Sequence, residues 1–453
     1  MGEEKKLPKG WVEVELKEIA NVNAGGTPSR GNKKFWDGNI PWVKISDING
    51  LYVNKTSEFI TEEGVKNSSA KTFDKGTILF TIFATIGKIG ILDIRASTNQ
   101  AIAGIRPISD IYFKYLTYAL INLSNKVSEK GKGVAQKNIN LTILKKTQIP
   151  FPPLPEQERM VAKLDTLFGQ LEEIKASLEK IPVLLKNFRQ QVLTQAVTGE
   201  LTKEWRKGKE LEEWQFELAK ECCEKVQSGG TPKGSKFENL GIPFLKVYNI
   251  VNDKIDFTSR TQYVSNEIQN SQLKKSKTFP GDVVMNIVGP PLNKVAIIPK
   301  EFSEWNVNQA ITLFRVKSYL LNTFLYYFLC EGTPVNSLIN ETRGVVGQVN
   351  ISLTQCRNFN IPIPSIEEQI EIVNRVESLF TKADTIQEQY ETLKVKVDTL
   401  PQAILHKAFK GELVPQLDSD GDARELLEEI KRLKEEVGKK PKKASKRKNV
   451  KVG

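Results

Sequence analysis

Apolar residues fall into two patterns that alternate along this chain. From Leu164 the spacing runs three, four, three, four through Leu164, Leu167, Leu171, Ile174, Leu178, Ile181, Leu185, Phe188 and Val192. Adding 212 to each number gives Val376, Leu379, Ala383, Ile386, Tyr390, Leu393, Val397, Leu400 and Ile404, a second stripe of the same period. A stripe repeating every 3.5 residues over several heptads predicts a long helix whose seam is covered by another helix. Two such helices in one chain cover each other most economically by packing antiparallel. Pro182 and Pro401 lie inside the two stretches and predict a kink in each. Upstream of each helix the pattern changes to short β-branched runs punctuated by Gly, Pro, Asn and Asp, such as "GTILFTIFATIG" and "GDVVMNIVG". These read as strands and turns, with one helix expected in each half, over residues 111–123 and 319–331.

The two halves are copies of one design. "VNAGGTPSRGNKKFWDGNIPWVKISDI" from Val22 matches "VQSGGTPKGSKFENLGIPFLKVYNI" from Val226, "NQAIAGIRP" matches "NQAITLFRV", and "AQKNINL" matches "GQVNISL". The offset drifts from 202 to 209 through the strand-rich parts and then holds at 212 from Gln136 to Leu201. Each half therefore joins a variable globular head to a helix of fixed length. The prolines of "IPFPPLPEQ" and "IPIPSIEEQ" end the last strand of each head. Pro155 falls in a first helical turn, where its missing N–H is harmless. Ser365 and Glu368 have the spacing of a capping box. The expected fold class is α+β: two similar mainly-β heads joined by two long helices that form an antiparallel coiled coil. The expected boundaries are 1–154 for the first head and 155–200 for its helix. They are 201–364 for the second head with its linker, 365–417 for its helix, and 418–453 for a flexible, helical then basic tail. Residues 423–437 give the start of that tail an apolar face.

With 39% hydrophobic and 26% charged residues, the 453-residue chain is ordinary globular protein with several domains. Its longest apolar run, from Gly76 to Leu92, is broken by Gly87, Lys88 and Gly90, which argues for paired strands over a membrane span. The charged N-terminus lacks the apolar core of a signal peptide, so a cytoplasmic protein is expected. Cys222, Cys223, Cys330 and Cys356 have no CxxC spacing and His406 is the single histidine, which argues against a structural zinc site and against His-based catalysis. No metal or bound cofactor is expected on this chain. The formal charge is +12, of which the last sixteen residues supply eight Lys/Arg and no acid. That tail is either a phosphate-attracting segment or a solubilising end. The nearly balanced body requires any DNA binding to come from local patches.

The candidate patches are the glycine-rich loops. Arg30, Lys33, Lys34, Lys44, Lys132 and Lys137 are the DNA-binding candidates in the first head, and Lys233, Lys236, Lys246, Arg343 and Gln348 their counterparts in the second. Lysines position a phosphate backbone, whereas Arg and Gln also read base edges. "GGTPKGSK" fails as a nucleotide-binding loop because Ser235 precedes Lys236, the reverse of the required order. Its glycines are expected to permit a tight turn. The residues shared by both heads, "GGTP" and "NQA", are expected to be scaffold, because two heads with different targets cannot read them with the same side chains.

From these features the chain resembles the specificity subunits of type I restriction–modification systems, to about Leu417. The resemblance rests on the twice-used proline–EQ–long helix–GEL layout ("TGEL", "FKGEL") together with "GGTP" and "NQA" in each head. It implies that each head is a target recognition domain reading one half of a gapped double-stranded DNA sequence. The helices would set the spacing and dock two methyltransferase subunits, to which restriction and translocase subunits are added. S-adenosylmethionine, ATP and magnesium would belong to those partners, leaving this chain non-catalytic. The span from Leu164 to Val192, about 42 Å as a helix, is close to one turn of B-DNA, about 34–36 Å. The reading from another class is a coiled-coil scaffold, or an orphan specificity-like protein, whose heads bind partner subunits and read no DNA.

Overall fold

The structure is a computed structural model that describes residues 7–130, 139–234, 237–341 and 350–439. The chain divides into two compact units, Met1–Ser177 with Leu393–Gly453, and Leu178–Thr392. Each unit contains one head and a segment of both long helices.

In the first unit the head closes on itself, because its first strand, Val12–Glu15, pairs antiparallel with its last, Gln148–Phe151. Between them lie two sheets. One has the order Ala20–Ala24, Ile102–Pro107, Ile78–Thr81, Ile89–Leu92, Tyr52–Val53; the other runs Glu58–Ile60, Trp36–Val43, Ala96–Thr98, Thr72–Phe73. The second head repeats this plan, with Gln215–Leu218 paired to Asn360–Ile363. Its sheets are Cys223–Ser228, Ile311–Val316, Val283–Asn286, Val295–Ile297 and Tyr263–Val264, Ile242–Leu245, Trp305–Val307, Lys277–Thr278. Each head contains the anticipated helix, α1 (Phe113–Lys130) and α4 (Asn322–Glu331). Both begin two or three residues later than expected.

The long helices are α2 (Leu154–Leu178) and α3 (Ile181–Val197) in the first repeat and the single α5 (Ile366–Ala408) in the second. Pro182 sits in the first turn of α3, so the expected kink is a clean break. Pro401 lies inside α5, which continues through it between the buried Val397 and Leu405. In the first unit Leu164 of α2 shares a core with Ile404 and Leu405 near the end of α5. In the second, Val192 of α3 shares a core with Val376 and Leu379 near the start of α5. Arg189 also bridges to Asp384 there at 2.6 Å. Early residues of one helix meet late residues of the other in both units, so the pairing is antiparallel.

The seam is narrower than the sequence stripe. One position per heptad is buried throughout: Leu164, Leu171, Leu178, Leu185 and Val192, then Val376, Ala383, Tyr390 and Val397. The alternate position is not, with Leu167, Ile181 and Leu379 only half-buried and Ile174, Ile386 and Leu393 exposed to 44%, 47% and 45%. In a two-stranded coiled coil both positions of the stripe pack into the partner helix, so the exposed alternate position departs from coiled-coil packing and leaves that flank open to a further element.

The recurring EQ pair fastens each head to its helix. Glu156 accepts the indole N–H of Trp11 through Oε2 at 2.9 Å, and Glu368 accepts that of Trp214 through Oε2 at 2.9 Å. Gln157 and Gln369 donate back to the carbonyls of Pro152 and Pro364 at 2.8 and 2.9 Å. Ser365 caps α5 by accepting from the Glu368 backbone N–H at 3.3 Å. The expected capping box is only half made, because the Glu368 side chain goes to Trp214, Thr202 and Arg206 instead.

The tail helix α6 (Ala423–Lys439) is docked, contrary to the expected flexibility. Ala423, Leu426 and Ile430 are buried in the core of the first unit, and Lys434 donates to the Lys17 carbonyl at 2.7 Å. The basic residues from 440 onward lie outside the described residues. The tail is also held by Arg159, which forks onto both oxygens of Asp420 at 2.7 and 2.6 Å and holds that carboxyl below its ordinary value of 3.8. Burial pushes neighbouring Glu156 upward. A depressed carboxylate stabilises the fold above its unfolded value and loses that stabilisation as pH falls through its folded value. A raised one is relieved by mild acid. Tail docking should therefore hold or tighten on acidification from neutrality and loosen only below the ordinary aspartate value. Amide exchange across α6 checks this, and early loosening near pH 5 would contradict it.

Candidate nucleic-acid interface

The glycine-rich loop of the first head, residues 25–35, lies over the edge of the sheet containing Trp36–Val43. Gly25 and Gly26 approach backbone so closely that a Cβ would collide with Thr98 and Asn99 or with Ser69 and Ala70. Gly229 likewise faces the Val307 and Asn308 backbone. Close approach therefore fixes these glycines, whereas the expected left-handed turn is found at Gly234, with φ of +69°. Thr27 donates to Gln100, and Thr231 to Gln309, so "GGTP" and "NQA" clasp each other in both heads. That clasp supports their assignment as scaffold.

Beside the clasp the heads diverge. In the first, Trp36 and Trp42 meet edge to face with centroids 5.0 Å apart. Their indole N–H groups pin the loop by donating to Ser29 and Gly26 carbonyls at 3.0 Å each. The Arg30 guanidinium stacks 3.7 Å from the Trp36 centroid and pairs with Glu58 at 2.5 Å. Lys44 pairs with the other Glu58 oxygen at 2.6 Å. These bonds from Lys44 and then Arg30 hold the Glu58 carboxyl below its ordinary value. In the second head the aromatic pair is Phe237 and Phe244, 5.2 Å apart, with Lys246 Nζ 4.6 Å from the Phe237 ring. Among the described residues no indole donates to the loop there; Gln272 holds it by accepting the Lys233 N–H at 2.8 Å.

Of the eleven sequence candidates, the structure brings Arg30 and Lys44 together on Glu58 and seats Lys246 on its own aromatic pair. Lys33 and Lys34 are exposed on the turn Lys33–Phe35, and Lys233 is exposed on its loop. Lys132, Lys137, Lys236, Arg343 and Gln348 lie outside the described residues. The sequence reading missed Glu58, the aromatic pairs and Gln262. "SEFIT" and "TQYVS" each precede a helix capped by the final residue, Thr61 or Ser265, and that match could have flagged them. Among the described residues no group of three or more His, Cys, Asp or Glu is placed to hold a metal, and no helix is long and apolar enough to cross a membrane.

A frame used twice, with a different cation–aromatic cluster on each copy, defines a two-headed recognition protein. The family described as type I restriction modification DNA specificity domain matches twice, over residues 8–182 and 211–395, and the chain belongs to that family. It is similar to the specificity subunit of the type I restriction enzyme EcoBI of Escherichia coli, with 30% identity over 93% of this chain and 92% of that one. The EcoKI specificity subunit of Escherichia coli strain K12 is 28% identical over 98% and 99%. The MjaIX specificity subunit of Methanocaldococcus jannaschii is 28% identical over 90% and 94%. The crystal structure of the HsdS subunit from Thermoanaerobacter tengcongensis shares the fold, with a TM-score of 0.58 and 20% identity over 91% of this chain and 99% of that one. A chain from a structural study of type I R-M complex assembly shares it at 0.61, with 21% identity over 90% and 100%.

Proposed function

We propose that this chain is the DNA sequence-recognition subunit of a type I restriction–modification complex. Each head reads one half of a gapped target, and the paired helices set the distance between the halves. The observation that carries this reading is the divergence of the two heads around a shared clasp: Arg30, Lys44 and Glu58 on a tryptophan pair, against Lys246 and Gln262 on a phenylalanine pair. A protein that bound the same thing twice would repeat its contact residues along with its scaffold.

The exposed flank of the seam supports docking of two methyltransferase subunits, since each unit presents one: Ile174, Leu393 and Leu400 in the first, Phe188 and Ile386 in the second. Exposed apolar side chains aligned along one helix pair in this way are suited to protein contacts. In this reading the chain performs no catalysis. S-adenosylmethionine, ATP and magnesium are bound by methyltransferase and restriction subunits, with adenine as the methylated base.

The test is co-expression with its methyltransferase subunit and single-base mapping of N6-methyladenine. A gapped two-part motif that vanishes without this chain is the expected result, and a stable complex with no motif would favour the scaffold reading. Inserting one heptad between Leu164 and Val192, with a matching heptad in α5, should lengthen the gap and leave both half-sites unchanged. The same mapping reads this out, and an unchanged gap in an active complex would rule out the spacer role.

A further inference from the structure

Glu58 and Gln262 occupy the same place in the two heads. In the first, Glu58 is the register partner of Trp42. In the second, the Phe244 N–H donates to the Gln262 carbonyl at 2.8 Å, setting Gln262 opposite Phe244. Lys44 and Lys246 each follow two residues after that aromatic. The position thus carries a carboxylate in one head and a neutral amide in the other, beside an equivalent lysine and an aromatic pair, tryptophans in the first and phenylalanines in the second.

The consequence is electrostatic. Glu58 takes one N–H from Arg30 and one from Lys44, leaving most of their donors unused. Arg30 keeps 56% of its side chain exposed while its guanidinium lies over the Trp36 ring. A carboxylate shared by two cations cancels one of their two charges and ties down both side chains, which weakens them as general phosphate contacts, whereas a guanidinium stacked on an indole is suited to a base edge. In the second head no carboxylate among the described residues pairs with Lys246, and the side-chain Oε1 of Gln262 is buried without a hydrogen-bond partner.

We propose that Glu58 is a positioning residue for sequence reading by the first head. It restrains Arg30 and Lys44 from indiscriminate phosphate contact and presents Arg30 to a base. Gln262, its counterpart, leaves Lys246 as a phosphate contact. The second head therefore depends more on backbone charge than the first. This inference rests on the DNA-recognition reading above.

The test uses the assembled complex with its methyltransferase subunits, carrying Glu58→Gln, Glu58→Asp or Gln262→Glu. Two quantities are read: the methylated motif, and the salt dependence of binding to a duplex lacking the target. Glu58→Gln should relax only the half-site read by the first head, by tenfold or more in discrimination. It should also steepen the log–log salt slope by about 1–2, at about 0.9 per phosphate engaged. Glu58→Asp, which keeps the charge, should restore both, and Gln262→Glu should make the slope shallower. If Glu58→Gln prevents assembly, the Arg30→Gln/Lys44→Gln pair replaces it, and should lose the same half-site without steepening the slope. An assembled Glu58→Gln complex with the parent motif and slope, or a double variant with the parent motif, overturns the proposal alone. A parent complex with no two-part motif overturns the recognition reading and this inference with it.

Discussion

Replacing Glu368 with Ala is expected to lower the stability of the second unit by about 3 kcal/mol, the lower end for a buried ion pair broken from one side. Glu368 is fully buried and accepts from Thr202 at 2.6 Å, Arg206 at 2.5 Å and Trp214 at 2.9 Å. Truncation strands all three donors at once. The Arg206 side chain is 21% exposed and recovers some hydration, which keeps the cost from reaching the top of the range. For a unit of this size about 3 kcal/mol corresponds to roughly 6–12 °C in melting temperature. Glu156→Ala in the first unit should cost less. Its Oε2 accepts from Trp11 and weakly from Gln416, its Oε1 is buried without a partner, and burial already disfavours its charge. Thermal unfolding of both variants decides the matter, and equal small shifts would show that the EQ glutamates do not fasten heads to helices.

The second large effect separates the buried line of the seam from its exposed flank. Val376→Asp places a carboxylate on a fully buried position of α5 and should cost more than about 4 kcal/mol, the range reserved for unpaired buried charge. Ile386→Asp, ten residues along the same helix, alters a side chain 47% exposed and should change stability by less than about 1 kcal/mol. It should nevertheless weaken capture of a methyltransferase subunit. Denaturant unfolding and co-purification measure the two quantities separately. A flank variant that unfolds as readily as the seam variant would mean that both positions are structural, and full subunit binding by a folded Ile386→Asp protein would remove the flank from the docking surface.

Much of the fold was legible because it is periodic or repeated. The stripe from Leu164 to Val192 and its copy 212 residues later specify two long helices, and the apolar run from Gly76 to Leu92 specifies the strands Ile78–Thr81 and Ile89–Leu92. The shared clasp was legible as scaffold because it occurs in both heads. A tight turn was the right reason for Gly234 but not for Gly25, Gly26 and Gly229, since a sequence shows that no side chain is present and not whether backbone approaches or φ demands it. Glu58 was overlooked for a similar reason. It lies 28 residues from Arg30, and no local spacing predicts that the two form an ion pair.

The sequence by itself determined the duplication, the fixed-length helices, the strand-rich heads and the family, because these depend on period, propensity and motif order within short windows. Tertiary structure alone decided three things. It selected which seam position of each heptad is covered, since the period of a stripe does not say which of its two flanks the partner helix packs against. It turned Glu368 from an expected capping partner into an acceptor for Trp214, 154 residues away, and set Glu156 on Trp11, 145 residues away. It also drew Arg30 and Lys44 onto Glu58, where a carboxylate in a partly desolvated setting outcompetes water for both cations.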